Sequence, residues 1–154
     1  MRRREFISLA GVAAAWPPVA RAQQRVRRIG LLMTMAETEP EAQACLTSFR
    51  AGLQQLGWTE GHNIKIDYRF AAGDPDRLQS SAAELVGLAP DAILANGTAI
   101  LSALKRETRS IPIVFVLVPD PVGDGFVESL ARPGGNLTGL TNLSFRWVGS
   151  GLSC

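Results

Sequence analysis

Two periods alternate along the chain from Arg27 onward. Ile29-Gly30-Leu31-Leu32-Met33 is a short unbroken apolar run, the pattern of a parallel strand buried on both faces. Thr38-Glu39-Pro40-Glu41 then reads as a capping box with proline in the first turn, which places a helix start there. Ala42, Cys45, Leu46, Phe49, Leu53 and Leu56 recur on one helical face, and Gly57 is placed to stop the helix. The period next drops to two. Ile64, Ile66, Tyr68 and Phe70 alternate with Lys65, Asp67 and Arg69, which predicts a half-exposed strand near a sheet edge.

Asp74-Pro75 opens a second helix with Leu78, Ala82, Leu85 and Val86 inward, stopped near Pro90. Ala92-Ile93-Leu94-Ala95 reads as a short strand, with a helix over Thr98 to Glu107 after it. Ile113 to Val118 is the longest unbroken apolar run of this part and the best candidate for a central strand. A short helix is predicted around Phe126, Val127 and Leu130, then a turn at Pro133-Gly134-Gly135-Asn136 and a strand near Leu137 to Leu140. Such regular alternation with short connections requires an α/β fold: a doubly wound, Rossmann-like parallel sheet with helices on both faces. No internal repeat and no low-complexity linker interrupts it. The tail from Phe145 to Cys154 carries neither period and is expected to fray.

The opening segment follows different rules. Arg2, Arg3 and Arg4 precede the apolar stretch Phe6 to Trp16, which would suit a nucleic-acid arm, a membrane helix or an export address. The stretch is shorter than the roughly 20 residues a membrane-spanning helix needs. It ends in Pro17-Pro18 and is followed by Ala20-Arg21-Ala22, the small-x-small pattern that a signal peptidase accepts. Arg3-Arg4-Glu5-Phe6-Ile7 resembles a twin-arginine export motif, although Arg2 stands where Ser or Thr is usual and Ser8 where Lys is frequent. Residues 1–22 are therefore read as a signal peptide cleaved after Ala22, and the mature chain as periplasmic with no membrane span.

Charge supports that division. The formal net charge is +2, from 16 basic and 14 acidic residues. Four arginines and Glu5 fall within the opening segment, so the body holds twelve basic against thirteen acidic residues. It has no basic surplus for phosphates, which argues against a nucleic-acid partner. A hydrophobic content of 46% over 154 residues suffices for one compact core. Two cysteines, Cys45 and Cys154, make neither a disulfide framework nor a metal site, and Cys45 lies on an apolar helical stripe. His62, the single histidine, follows Gly61 in a turn, and nothing in the sequence sets it beside a nucleophile.

In a doubly wound sheet, ligands bind beyond the carboxyl ends of the strands. Three loops fall there: Thr34-Met35-Ala36, Asn96-Gly97-Thr98-Ala99 and Pro119-Asp120-Pro121. Gly97 allows backbone to approach a ligand, and Thr98 opens a helix whose free N–H groups attract a carboxylate or phosphate. Asn96 and Thr98 also fit a plain capping role. Asp120 stands where a catalytic carboxylate would be, yet it has no visible partner and its flanking prolines suit a rigid turn. Neither G-x-G-x-x-G nor G-x-x-x-x-G-K-[ST] occurs, so dinucleotide and nucleoside-triphosphate roles lose their usual signature, and no cofactor is indicated. Without a nucleophile–base pair, no catalytic residue is assigned and the reading is not an enzyme. The alternative that the same alternation permits is a stand-alone flavodoxin-like enzyme or cofactor domain. A third is an interaction module with no ligand.

The stretches LGWTEGHNIKIDYRFAAGDPDR, ELVGLAPDAILANGTAILSAL and IPIVFVLVPDPVGDGFVESLARPGGNLTGLTN resemble the periplasmic substrate-binding proteins of ABC transporters. The group is the one related to tryptophan- and tyrosine-binding proteins. The resemblance runs from Met1 to about Ser144 and implies a periplasmic-binding-protein type I fold, in which two lobes close on a small molecule at a hinge. It implies that Asn96, Gly97, Thr98, Ala99, Asp120, Thr141 and Asn142 line the cleft side of the first lobe; Met35, in the loop after the first strand, is a further candidate ligand residue by its position. The partners it implies are a small-molecule ligand, such as an amino acid or related anion, and an ABC permease. Family members continue into a second lobe of comparable size, whereas FRWVGSGLSC does not resemble the helix expected next. The expectation is a first lobe over 23–144 followed by an irregular tail at 145–154, making an incomplete receptor.

Overall fold

The computed structural model describes residues 25–139. Five parallel strands form one sheet: β1 (Arg27–Met33), β2 (Ile64–Phe70), β3 (Ala92–Asn96), β4 (Ile113–Val116) and β5 (Leu137–Gly139). Their spatial order is β2-β1-β3-β4-β5. Three helices connect them: α1 (Pro40–Gln55), α2 (Pro75–Gly87) and α3 (Thr98–Glu107). The α/β doubly wound architecture expected from the sequence is the one observed.

Register explains which side chains share a face. Leu31 of β1 lies beside Tyr68 of β2 and Leu94 of β3, while Leu32 lies beside Arg69 and Ala95. The first set faces α1, where Ala42 and Leu46 are buried and Cys45, Phe49 and Leu53 pack beside them. The second face, with Leu32, Ile93, Ala95, Ile113 and Phe115, is covered by Ala82 and Leu85 of α2 and by Ile100, Leu101, Ala103 and Leu104 of α3. Two apolar layers thus sandwich the sheet, and β2 lies at its edge as its alternation predicted.

Local chemistry sets the helix ends. Asp74 caps α2 by accepting from the N–H groups of Asp76 and Arg77. At α1 the predicted capping box does not form. The residue before the helix is Glu39, whose carboxylate accepts from the Ala36 N–H at 2.7 Å and so folds the preceding loop instead. Leu56 does not join the stripe of α1, since the helix stops at Gln55 and leaves it 77% exposed. Gly57 follows at φ +84°.

Three further expectations need correction. β4 stops at Val116 rather than Val118, because Leu117 turns into left-handed backbone at φ +56°. It is an inner strand, but the middle position belongs to β3. No helix forms around Phe126, Val127 and Leu130. Backbone bonds from Phe126 and Val127 to the Pro121 carbonyl close a series of turns, with Val127 buried and Leu130 left 52% exposed. Gly125 at φ +72° sits where a helix would have to continue.

Opposite the carboxyl edge, the amino end of the sheet is tied by charge. Arg28 donates through Nε to Asp67 at 2.6 Å and through its backbone N–H to Asp91 at 2.8 Å. The bond from Arg28 holds the Asp67 carboxyl below its usual range, and the Arg28 backbone N–H does the same for Asp91. Among the described residues, no helix is long and apolar enough to cross a membrane.

Candidate functional site

The strand order places a topological switch point between β1 and β3. From β1 the chain crosses one way to β2, and from β3 it crosses the other way to β4. Helices therefore leave the carboxyl ends of β1 and β3 in opposite directions and open a crevice between them. The loops that border it are Thr34-Met35-Ala36 and Gly97-Thr98-Ala99. A Cβ placed on Gly97 would stand 4.0 Å from Thr34 Cγ2, so the two loops meet at the crevice floor.

Asn96 is the last residue of β3, in register with Met33 on one side and Val116 on the other, and is half-buried. Gly97 donates its N–H to the Val116 carbonyl at 3.0 Å, which pins the start of α3 to β4. Its own φ of +106° and ψ of 162° lie where only glycine rests without strain. The plain capping role expected of Asn96 or Thr98 is not what forms. Gly97 is the capping residue, and among the described residues no side chain bonds the first N–H groups of α3.

The other two helix N-termini differ. α1 carries Glu41 in its first turn, and α2 carries Asp76 beside its Asp74 cap, so acidic groups meet their positive ends. α3 has no acidic residue in its first turn. Of the three described helices, α3 is the one whose positive end and free N–H groups face the crevice unneutralised. Such an end favours a carboxylate or phosphate.

The remaining expected residues take varied places. Met35 is half-buried and packs against the core layer beneath α1, so part of its surface serves the core. Ala99 is exposed. Asp120 is exposed and accepts from the Gly123 N–H at 2.7 Å, the turn-shaping role that its flanking prolines suggested. Thr141 and Asn142 lie outside the described residues, as do the signal peptide and the tail from 145. A fourth loop reaches this edge. The N–H of Ala71 bonds the Met33 carbonyl and that of Gly73 bonds the Thr34 carbonyl, closing the turn that follows β2 over the crevice-lining loop. The Gly73-Asp74-Pro75 run was a visible turn signal, but its docking onto residues 33 and 34 is a long-range fact. Leu117, in left-handed backbone beside the pinned Gly97, carried no signal at all within an apolar run. Among the described residues no group of three or more His, Cys, Asp or Glu is placed to hold a metal ion.

The doubly wound sheet thus carries a crevice at its switch point, bordered by the N-terminus of α3. Residues 35–145 match the family model for ABC transporter substrate binding proteins, and the chain belongs to that family. A tyrosine-binding protein of Clostridioides difficile (strain R20291) is 37% identical over 103 residues, covering 67% of this chain and 30% of that one. Two solved structures superpose with a TM-score of 0.68. One is the ligand-free, open form of a substrate-binding protein with adhesive properties from Clostridium difficile, 34% identical, covering 74% of this chain and 38% of that one. The other is an ABC domain from Streptococcus pneumonia in complex with L-Trp, 26% identical, covering 75% and 38%. The chain thus spans about 30% of the length of the curated relative it matches, and its coverage corresponds to a single lobe.

Proposed function

We propose that this chain is the first lobe of an exported receptor that captures an amino acid or similar small carboxylate and delivers it to an ABC permease. The observation that carries the reading is the open N-terminus of α3 at the β1–β3 switch point. A carboxylate seated there accepts from the free N–H groups at Thr98, Ala99 and Ile100. Asn96 and Gly97 form the adjacent wall, with Met35 and Asp120 at the rim and Thr141 and Asn142 completing the lobe's side of the cleft. The ligands for which the relatives are named or with which they are complexed, tyrosine and L-Trp, support the amino-acid class. Residues 1–22 act as the twin-arginine-type signal that brings the mature chain to the periplasm, and residues 23–144 form the lobe.

Closure traps a ligand between two lobes, so one lobe supplies half of the polar partners and excludes little water. An exposed helix end alone corresponds to an affinity of roughly millimolar. Calorimetry with L-tyrosine and L-tryptophan, on this chain and on a version extended by a family second lobe, tests the reading. Weak binding by the short chain and at least tenfold tighter binding by the extended one is the expected result. No heat from either version would overturn it. The strand order is also that of flavodoxin-like domains, and a visible flavin spectrum in the purified protein would favour that second reading.

A further inference from the structure

Asn96-Gly97 is the one Asn-Gly step in the sequence. In such a step the backbone nitrogen of the glycine can attack the asparagine carboxamide, because the glycine has no side chain to block the approach. The residues that follow the other asparagines are Ile64, Leu137 and Leu143, whose bulk obstructs that attack. The fold restrains the Asn96-Gly97 step from both sides. Asn96 closes β3 with its backbone in register between Met33 of β1 and Val116 of β4. The Gly97 nitrogen, which would be the nucleophile, donates its N–H to the Val116 carbonyl at 3.0 Å. Gly97 itself is held at φ +106° and ψ 162°. Among the described residues no hydrogen bond holds the Asn96 carboxamide, so the restraint lies in the backbone.

We propose that Asn96 is a deamidation site which the folded lobe keeps closed, with the hydrogen bond from Gly97 to Val116 as its gate. When that bond opens, the Gly97 nitrogen forms a bond to Asn96 Cγ and the carboxamide C–N bond breaks. The proton lost by the nitrogen leaves on ammonia, and a cyclic imide remains. Water then opens the ring at either carbonyl. One opening gives aspartate, and the other gives its β-linked isomer with an extra methylene in the main chain. The sum is one water in and one ammonia out, with no change of oxidation state. Either product is damaging at this place. Both set a carboxylate beside the N-terminus of α3, which has no acidic residue in its first turn. That charge takes up the positive end of the helix and repels an incoming anion, a consequence that rests on the carboxylate site proposed above. The β-linked product also lengthens the chain between β3 and α3, so the Gly97 N–H no longer meets the Val116 carbonyl. The gate then cannot reclose, and a local opening becomes a permanent change.

Peptide mapping by mass spectrometry on the full chain tests the gate with no ligand present. Held at mildly alkaline pH, the folded chain should deamidate at Asn96 at least about tenfold more slowly than the chain in strong urea. In urea, Asn96 should convert well ahead of Asn63 and Asn136, and Gly97→Ala should slow its conversion severalfold. Below the unfolding transition, the rate should rise with urea in step with hydrogen exchange of the Gly97 amide. Equal rates in the folded and unfolded chain would overturn the gate, and no conversion at Asn96 in urea would overturn the site. A binding arm uses the version extended by a family second lobe. There Asn96→Asp should weaken L-tyrosine binding about tenfold, with an unchanged circular dichroism spectrum. Undiminished binding by Asn96→Asp would overturn the inactivation step. If the unsubstituted extended chain binds no L-tyrosine, the proposed function fails by itself, and the deamidation rates still decide the gate.

Discussion

Replacing Gly97 by alanine should destabilise the lobe even though there is room for the added methyl group. The nearest atom to the new Cβ would be Thr34 Cγ2 at 4.0 Å, an ordinary contact, so packing contributes no penalty. The backbone does. At φ +106° and ψ 162° the residue occupies a region that alanine enters at a cost of about 1–3 kcal/mol. With an unfolding entropy of roughly 2.1 cal/mol/K per residue, the 115 residues from 25 to 139 correspond to a Tm loss of about 4–12 °C. Gly52, inside α1 with nothing within 4 Å of its would-be Cβ, is the control. Alanine there should stabilise by about 0.5–1 kcal/mol, through helix propensity and a less flexible unfolded chain. Thermal melts followed by circular dichroism at 222 nm would therefore move in opposite directions for one chemical change. If Gly97→Ala raises Tm as Gly52→Ala does, the strained start of α3 is not what this argument requires.

The remaining predictions rest on other parts of the chain. Asp67 is held below its usual range by Arg28, so its stabilisation is present above about pH 4, its unfolded range, and is lost as pH falls further through the folded value. Asp67→Asn should lower Tm at neutral pH and flatten the acid limb of a Tm-versus-pH series, and an unaltered limb would refute the assignment. Leu85, fully buried between α2 and the sheet, should cost about 2–5 kcal/mol on Leu85→Ala, read as a lower urea midpoint at constant slope. Lysines in place of Arg3 and Arg4 should block export by the twin-arginine route, and sequencing the exported native chain should find Gln23 first. Undiminished export of the lysine variant would redirect the leader to the general route, and an uncleaved cytoplasmic chain would remove the export reading.

Much of the lobe was legible in the sequence because its signals are local. The apolar run at residues 29–33, the alternation at 64–70 and the Asp74-Pro75 helix start each depend on neighbours within a few positions. The place of β2 at an edge followed from the same alternation, since a strand with Lys65 and Arg69 on one face is poorly suited to burial on both. The failures are failures of range. Nothing near Leu117 in sequence announces left-handed backbone, because that turn is set by where β4 ends against β3 and by the bond from Gly97 to Val116. The helix expected at Phe126 to Leu130 gave way to turns gathered on the Pro121 carbonyl, so Val127 reaches the core without helical spacing. The site divides likewise. Glycine followed by a helix start at residues 97 and 98 was readable, and so was its position after a strand. That the N-terminus of α3 is left uncapped while Asp74 caps α2, and that it meets the Thr34 loop across the switch point, emerged with the tertiary structure. Strand order and crossover direction are decided by long-range pairing and chain handedness, which no local run of residues encodes.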